Sequence, residues 1–259
     1  MSAVLKTLGH QVLRLHVRLY ACRARLEART DGEALHDLRI AVRTLRSLLR
    51  PFRRDAACAR LEQAAAVIGR SSSGLRDVEV LIAELQRQGK ERLLPARQQA
   101  LQEGYERLLA SEALGELFAA LDDWPRDAVQ APVWRKAGKC LHKHLLRQSQ
   151  RLALALVDPE SDKHGLRLLI KRLRYAGEAY PDVARFAPAV HKRLRAAQSA
   201  TGNWHDLLQW LARVPNESDL HECAADWQRR LQVAEQAADQ ALLVLRLHFP
   251  GLPDGNSAA

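Results

Sequence analysis

Two segments of the sequence place basic side chains at helical spacing. In the first, His36, Arg39, Arg43, Arg46 and Arg50 recur every three or four residues, with no acid between residues 38 and 54. At 3.6 residues per turn, these side chains share one narrow edge of a helix, the first basic edge. Like charges at such spacings repel by about 0.2–0.5 kcal/mol per pair, so we expect an anion there. The edge is about 21 Å long, which suits an extended chain of phosphates better than one phosphate group.

The pattern is duplicated later in the chain. HGLRLLIKRLR at 164–174 matches HDLRIAVRTLR at 36–46, and GNWHD at 202–206 matches GLRD at 74–77 with one residue inserted. The later copy has no acid between residues 163 and 177. The second basic edge consists of His164, Arg167, Lys171 and Arg174. Repetition favours anion binding over the alternative, in which arginine stems merely cover apolar surface with their charges in water.

Other segments add basic residues to the candidate site. A third basic edge has the same helical spacing, and two further helices supply cations that we include as anion-binding candidates. The third basic edge is Lys136, Lys139, Lys143 and Arg147, and the further candidates are Arg14, Arg18, Lys192 and Arg195.

The elements that position these edges are predicted to be helices only. Helix formers dominate and period-two alternation is missing, so the fold class is all-α. Glycine, proline and serine clusters predict helices near 3–29, 33–53, 55–72, 75–88, 92–109, 111–121, 132–156, 160–179, 183–200, 203–213 and 217–248. The repeat predicts one domain, 1–249, made of two helical halves at about 1–125 and 132–249, each a bundle of about four main helices. Residues 250–259 are predicted to be disordered.

Composition supports a soluble protein with an anionic partner. Of the 259 residues, 47% are hydrophobic and 27% are charged, which excludes a disordered or disulfide-built chain. No apolar run is long enough to cross a bilayer. The net charge is +10 and arginine far outnumbers lysine, which favours bidentate contacts to phosphate, although GC-rich coding gives the same bias.

Cysteine usage and the first segment indicate where the chain works. The four cysteines form no CxxC pair, which predicts a reducing cytoplasm and no metal site. Residues 1–26 carry no acid and could pass for a transit peptide. Because they align with 132–156, we interpret them as a helix of the fold.

Several residues keep a structural alternative beside the functional one. His36 and His164 either pack beside the core or face the anion. Asp77 and Asp206 are expected near helix starts, where they cap the helix or orient an arginine. The tryptophans at 124, 134, 204, 210 and 227 are expected to pack in the core or between the bundles.

The two duplicated segments resemble a known family. LHDLRIAVRTLRSLLRPF at 35–52 and KHGLRLLIKRLRYAGEAY at 163–180 are similar to the paired signatures of the CHAD family, the conserved histidine α-helical domain. LRDVEVL at 75–81 and the segment 202–206 resemble two further motifs. The resemblance implies two four-helix bundles related by a pseudo-twofold axis, with a basic groove or pore between them. Its basic positions fall on Arg39, Arg43, Arg46, Arg167, Lys171, Arg172 and Arg174, and its histidines on His36 and His164.

The resemblance also implies a function, namely binding of inorganic polyphosphate and, in bacteria, association with polyphosphate granules in the cytoplasm. Lys163 replaces a usual leucine, AQSATG at 197–202 lacks the usual leucines, and His205 replaces an asparagine. No ExExK motif of an attached triphosphate-tunnel domain occurs, so we expect a stand-alone binding module.

Three other functions remain as alternatives to polyphosphate binding. A nucleic-acid binder would want aromatics among the cations, and only Tyr175 follows the second edge. A polyphosphate-processing enzyme would want clustered carboxylates for Mg²⁺, which the edges lack. Recruitment to anionic lipid is the third. We therefore predict no catalytic residue, no cofactor and no membrane insertion.

Overall fold

The computed structural model describes residues 3–129 and 132–250, and all regular elements within them are helical. This confirms the all-α class. The predicted disordered tail falls almost wholly on residues 251–259, outside the described residues. The α-helices are α1 (Ala3–Ala28), α2 (Ala34–Leu49), α3 (Ala56–Ser71), α4 (Ser73–Arg87), α5 (Leu94–Leu109), α6 (Glu112–Val129), α7 (Ala137–Val157), α8 (Lys163–Ala179), α9 (Pro181–Ala184), α10 (Pro188–Arg213) and α11 (His221–His248). Short 3₁₀ turns occupy Arg50–Phe52, Glu91–Leu93, Pro132–Lys136 and Ser218–Leu220.

The chain forms two compact units, Met1–Cys140 and Leu141–Ala259, and the boundary lies within α7. In the first unit, α1 packs on α2, α5 and α6, α3 lies between α2 and α6, and α4 packs on α5. Leu8, Leu19 and Cys22 of α1 are almost fully buried. The acid-poor segment at the start of the sequence is therefore part of the fold, as its match to residues 132–156 predicted.

The second unit is built around one apolar cluster shared by α7, α8, α10 and α11. The side chains in it include Leu152, Leu156, Ile170, Leu173, Leu194, Ala197, Leu242, Leu245 and Phe249. α8 begins at Lys163 rather than at 160, because the Asp162 carboxylate accepts a hydrogen bond from the Gly165 backbone N–H at 2.6 Å. This is an N-cap, which fixes the start of the helix that carries the second basic edge.

The predicted helix break at Thr201–Gly202 is wrong, since α10 is continuous from Pro188 to Arg213. Thr201 is fully buried and its hydroxyl donates to the Ala197 carbonyl at 2.7 Å, one turn back in the helix. Burial on both sides of Gly202, at Ala197 and Leu207, outweighs the roughly 1 kcal/mol that a glycine costs in a helix. The predicted start at 183 is also wrong, because the single turn α9 ends before Arg185, whose φ of 46° is left-handed.

α6 extends beyond its predicted end at residue 121 and runs through Pro125 to Val129. Leu121, Trp124 and Ala128 are buried on one face, while Pro125 is exposed on the other. The Trp134 indole N–H donates to the Ala128 carbonyl at 2.6 Å. That bond satisfies a carbonyl at the helix end, and core burial offsets the backbone bond lost at the proline.

Candidate functional site

The first basic edge lies on α2 beside a fully apolar face. Leu35, Leu38, Val42, Leu45 and Leu49 are all buried, and the five basic side chains are partly buried next to them. The predicted division of α2 into a core face and a cationic edge is therefore confirmed. Arg50 lies just past the helix, in the 3₁₀ turn.

Arg39 is held by hydrogen bonds of its own unit. Its guanidinium donates to the Gly69 carbonyl at 3.1 Å and to the Ser72 hydroxyl at 2.7 Å. Burial lowers the pKa of Arg39, while the carboxylate of Asp77 acts in the opposite direction. Arg39 thus links α2 to the junction of α3 and α4, and part of its hydrogen-bonding capacity is already used.

An acid from another helix partly neutralises the first basic edge. Glu62 of α3 accepts hydrogen bonds from Arg46 at 3.0 Å and from Arg50 at 3.4 Å. The Glu62 side chain is 18% exposed, so solvent screens this ion pair less than it screens a surface ion pair. The far half of the edge therefore carries a built-in carboxylate supplied by another helix.

The second basic edge repeats this arrangement on α8 with different partners. Leu166, Ile170 and Leu173 are buried, and Arg174 donates to Gln198 at 2.7 Å and to Glu178 at 2.6 Å. The Arg174 guanidinium also lies 4.6 Å from the centre of the Tyr175 ring. Arg174, like Arg46, is therefore engaged by its own unit, whereas Arg172 is exposed and lies off the edge.

The near half of the second edge contains an arginine with an unsatisfied donor. Arg167 is partly buried, makes no hydrogen bond within the described part of the chain, and has a buried Nε without a partner. The His164 ring lies 5.2 Å from the ring of His205 in α10. Burial, and then the charges of Arg167, His164 and Lys171, lowers the pKa of His205 to about 4. A guanidinium with an unsatisfied donor in a positive field is poised to bind an anion.

The third basic edge is fully solvent-facing. Lys139, Lys143 and Arg147 are exposed along α7, and Lys136 is exposed at the end of the preceding 3₁₀ turn rather than in the helix. None of the four forms an ion pair with a described residue. These side chains are free to follow a flexible polyanion.

The outlying candidates differ from one another. Arg18 pairs with Asp37 at 2.8 Å, and Arg25, more than Arg18, holds the pKa of Asp37 below its usual value. Arg18 is thus part of a structural ion-pair network. The remaining three, Arg14, Lys192 and Arg195, are exposed.

The acids and tryptophans singled out in the sequence only partly follow expectation. Asp77 lies one turn into α4, but Asp206 lies deep inside α10, so its expected helix-start position is wrong. Trp204 is only partly buried, and Lys163 lies 5.7 Å from its ring. The other four tryptophans are buried as predicted.

The described ranges contain neither a grouped set of metal ligands nor a membrane-spanning helix. Among residues 3–129 and 132–250, no three His, Cys, Asp or Glu side chains are grouped to hold a metal ion. No helix there is long and apolar enough to span a membrane.

Comparison with known proteins decides the family. The model of the CHAD domain matches residues 11–215, which include both basic edges. The chain belongs to the CHAD family. The CHAD domain crystal structure from the plant Ricinus communis superposes with a TM-score of 0.66 at 22% identity, covering 97% of this chain and 93% of that one. PptA from Streptomyces chartreusis superposes with a TM-score of 0.58 at 19% identity, covering 92% and 99%. Comparison with curated proteins gives no match.

Two residues of this CHAD domain that lie beside the basic edges were not predicted from the sequence. They are Glu62, beside the first edge, and His205, beside the second. Glu62 reaches α2 from another helix, and no local spacing indicates that contact. His205 was visible in principle, because the insertion that aligns Asp77 with Asp206 also aligns Arg76 with His205. A basic residue at the same place in both copies was the available signal.

Arg39 and Arg167 occupy equivalent positions but should respond differently to alanine. We expect Arg39→Ala to lower stability by about 1–3 kcal/mol, because the Gly69 carbonyl and Ser72 hydroxyl lose their donor. Arg167→Ala removes no hydrogen bond and should leave stability close to that of the unmodified protein. Urea unfolding followed by circular dichroism measures both. Equal losses in the two variants would contradict the structural role of Arg39.

Glu62→Gln should leave two neighbouring guanidinium groups without their shared carboxylate. We expect a loss of about 1 kcal/mol in stability that shrinks at high salt, because screening weakens the repulsion between Arg46 and Arg50. Glu178→Gln is the matched control, since its i,i+4 pair with Arg174 has a carboxylate that is 45% exposed. A smaller loss is expected there. A larger loss in the control would contradict the role of Glu62.

Proposed function

We propose that the protein is a non-catalytic module that binds inorganic polyphosphate through its basic edges. One observation carries the proposal: the corresponding helices α2 and α8 each bury an apolar face and present cations along the adjoining edge. Folding alone does not require such an edge twice, because repulsion along it is unfavourable. The expectation attached to the CHAD family points to the same ligand.

The contacts available to polyphosphate are unequal. The main contacts are with Arg167 and Lys171 of the second edge and with the exposed third edge. Arg46, Arg50 and Arg174 are engaged with Glu62 and Glu178. A phosphate must compete with those carboxylates, so these three cations contribute less. All three basic edges lie on one chain. A polyanion long enough to reach two of them therefore binds the second at a raised effective concentration once it has bound the first.

Nucleic acid is the competing ligand, and the aromatic side chains argue against it. Lys163 lies over Trp204, and Arg174 lies over Tyr175, so a cation already occupies one face of each ring. Base stacking needs such faces. The test is competition between long-chain polyphosphate and mixed-sequence single-stranded DNA at fixed salt. We expect polyphosphate to displace the DNA, and preferential retention of DNA would overturn the proposal.

A binding rather than catalytic role is proposed from the acids beside the edges. Glu62 and Glu178 are engaged by arginine, so they are poorly placed to hold Mg²⁺ for phosphoryl transfer. Phosphate release from polyphosphate with added Mg²⁺ or Mn²⁺ tests this. We expect release at the uncatalysed rate, and turnover that increases with protein concentration would contradict the proposal.

Association with polyphosphate granules follows from the same binding. A fluorescent fusion in polyphosphate-accumulating cells should coincide with the granules. The same fusion carrying Arg167→Glu and Lys171→Glu should be dispersed. Dispersed unmodified protein, or granular signal from the variant, would contradict the association.

A further inference from the structure

His205 completes a cluster of basic side chains in the second unit. From α8, the His164 ring lies 5.2 Å from its ring, and the charges of Arg167 and Lys171 act on it. On α10 its neighbours in sequence are Trp204 and Asp206. On α11, Glu235 and Asp239 are bound to Lys163 at 2.7 Å and 3.0 Å. The charges that act most strongly on His205 are all positive.

In the first unit, the position equivalent to His205 has a different residue and different partners. Arg76 occupies that position and forms an ion pair with Glu79 at 2.8 Å. The Tyr105 hydroxyl donates a hydrogen bond to the same carboxylate. With the one-residue insertion, the counterpart of Glu79 is Leu208, which has no charge. The second unit therefore has a titratable ring in place of a neutralised arginine.

We propose that His205 belongs to the polyphosphate site of the second unit and takes up a proton when polyphosphate binds there. This inference rests on the proposed function. Without a ligand, burial and then the charges of Arg167, His164 and Lys171 keep the ring neutral. A phosphate oxygen among these cations reverses the local field, so the imidazole accepts a proton from solvent and becomes a further donor. The proton returns to solvent when the polyanion leaves.

The direction of the pH dependence follows from this linkage. The free site holds His205 neutral until the pH falls to about 4, whereas the occupied site protonates it at a higher pH. Binding therefore tightens as the pH falls between the two values. If the occupied site restores a pKa of about 6.5, affinity at about pH 5.5 is about ten-fold higher than at about pH 8.

The direct test measures the pKa of His205 from its Hε1–Cε1 NMR signal. The titration is carried out with and without saturating long-chain polyphosphate. We expect a value below about 5 in the free protein and a rise of more than about one unit on binding. An unchanged value with saturated binding would overturn the inference and leave polyphosphate binding intact. If no signal moves and no binding occurs at any pH, the proposed function itself fails.

Three variants separate the contribution of His205 from that of the other histidines. The unmodified protein should bind about ten-fold more tightly at about pH 5.5 than at about pH 8 because of His205, and His205→Asn should lose this gain. His205→Arg should bind more tightly at about pH 8, with the same reduced dependence on pH. His221→Asn, an exposed histidine at the start of α11, is the matched control and should keep the full gain. Equal pH profiles in all three variants and the unmodified protein would overturn the inference, and thermal unfolding confirms that each is folded.

Discussion

Replacing Arg167 and Lys171 together by glutamate should weaken polyphosphate binding by a factor of about 10² to 10⁴. Each charge-assisted contact contributes about 1.5–3 kcal/mol, and reversal adds repulsion to the loss of attraction. Glutamate is a good helix former, so the helix content should not change. Fluorescence anisotropy with end-labelled polyphosphate measures the affinity, and circular dichroism measures the helix content.

The matched control is Arg229→Glu with Arg246→Glu. Both arginines are exposed on α11 in the same unit, and their reversal changes the net charge by the same amount. We expect a loss of less than about five-fold, because exposed charges outside the second edge are largely screened. Equal losses in the two double variants would show that binding depends on total charge alone. Unchanged affinity in the Arg167 and Lys171 variant would exclude the second edge as the site.

Affinity should also fall steeply with salt. If about six phosphates are neutralised, the slope of log K against log salt is about −4, by analogy with single-stranded nucleic acid. Raising the salt from about 0.05 to 0.2 M should then weaken binding by about 300-fold. Titrations at several salt concentrations, with one polyphosphate length and pH, measure the slope.

The charge-reversed variant sharpens this measurement. Removing two contacts should make the slope shallower by about 1.4. A slope between 0 and −1 in the unmodified protein would mean that one phosphate at most is neutralised, which contradicts binding along an extended edge. A steep slope that is unchanged in the variant would place the contacts elsewhere.

The apolar faces of α2 and α8 were predictable because they depend on helical periodicity alone. Leu38 and Leu45 of α2, like Ile170 and Leu173 of α8, are fully buried at the expected spacing. The cationic edges follow from the same geometry, since each residue's angle around a helix is fixed by its number.

Partners from other helices were not predictable in this way. Glu62 and Ser72 reach Arg46 and Arg39 only through the packing of α3 on α2. Local signals also failed where tertiary burial opposed them. Gly202 and Pro125 read as helix ends, yet α10 and α6 continue through them because the flanking side chains are buried. Propensity is a weak prior against such packing.

The most direct test of polyphosphate binding at the second edge is the ¹H–¹⁵N NMR signal of the arginine Nε groups during a polyphosphate titration. Arg167 has a buried Nε without a partner, whereas Arg126 and Arg229 pair with surface carboxylates at 2.7 Å and 3.1 Å. We predict a large, saturable shift of the Arg167 signal with little change at Arg126 and Arg229. Saturated binding that leaves Arg167 unmoved, or that moves all three equally, would contradict a site built on this edge.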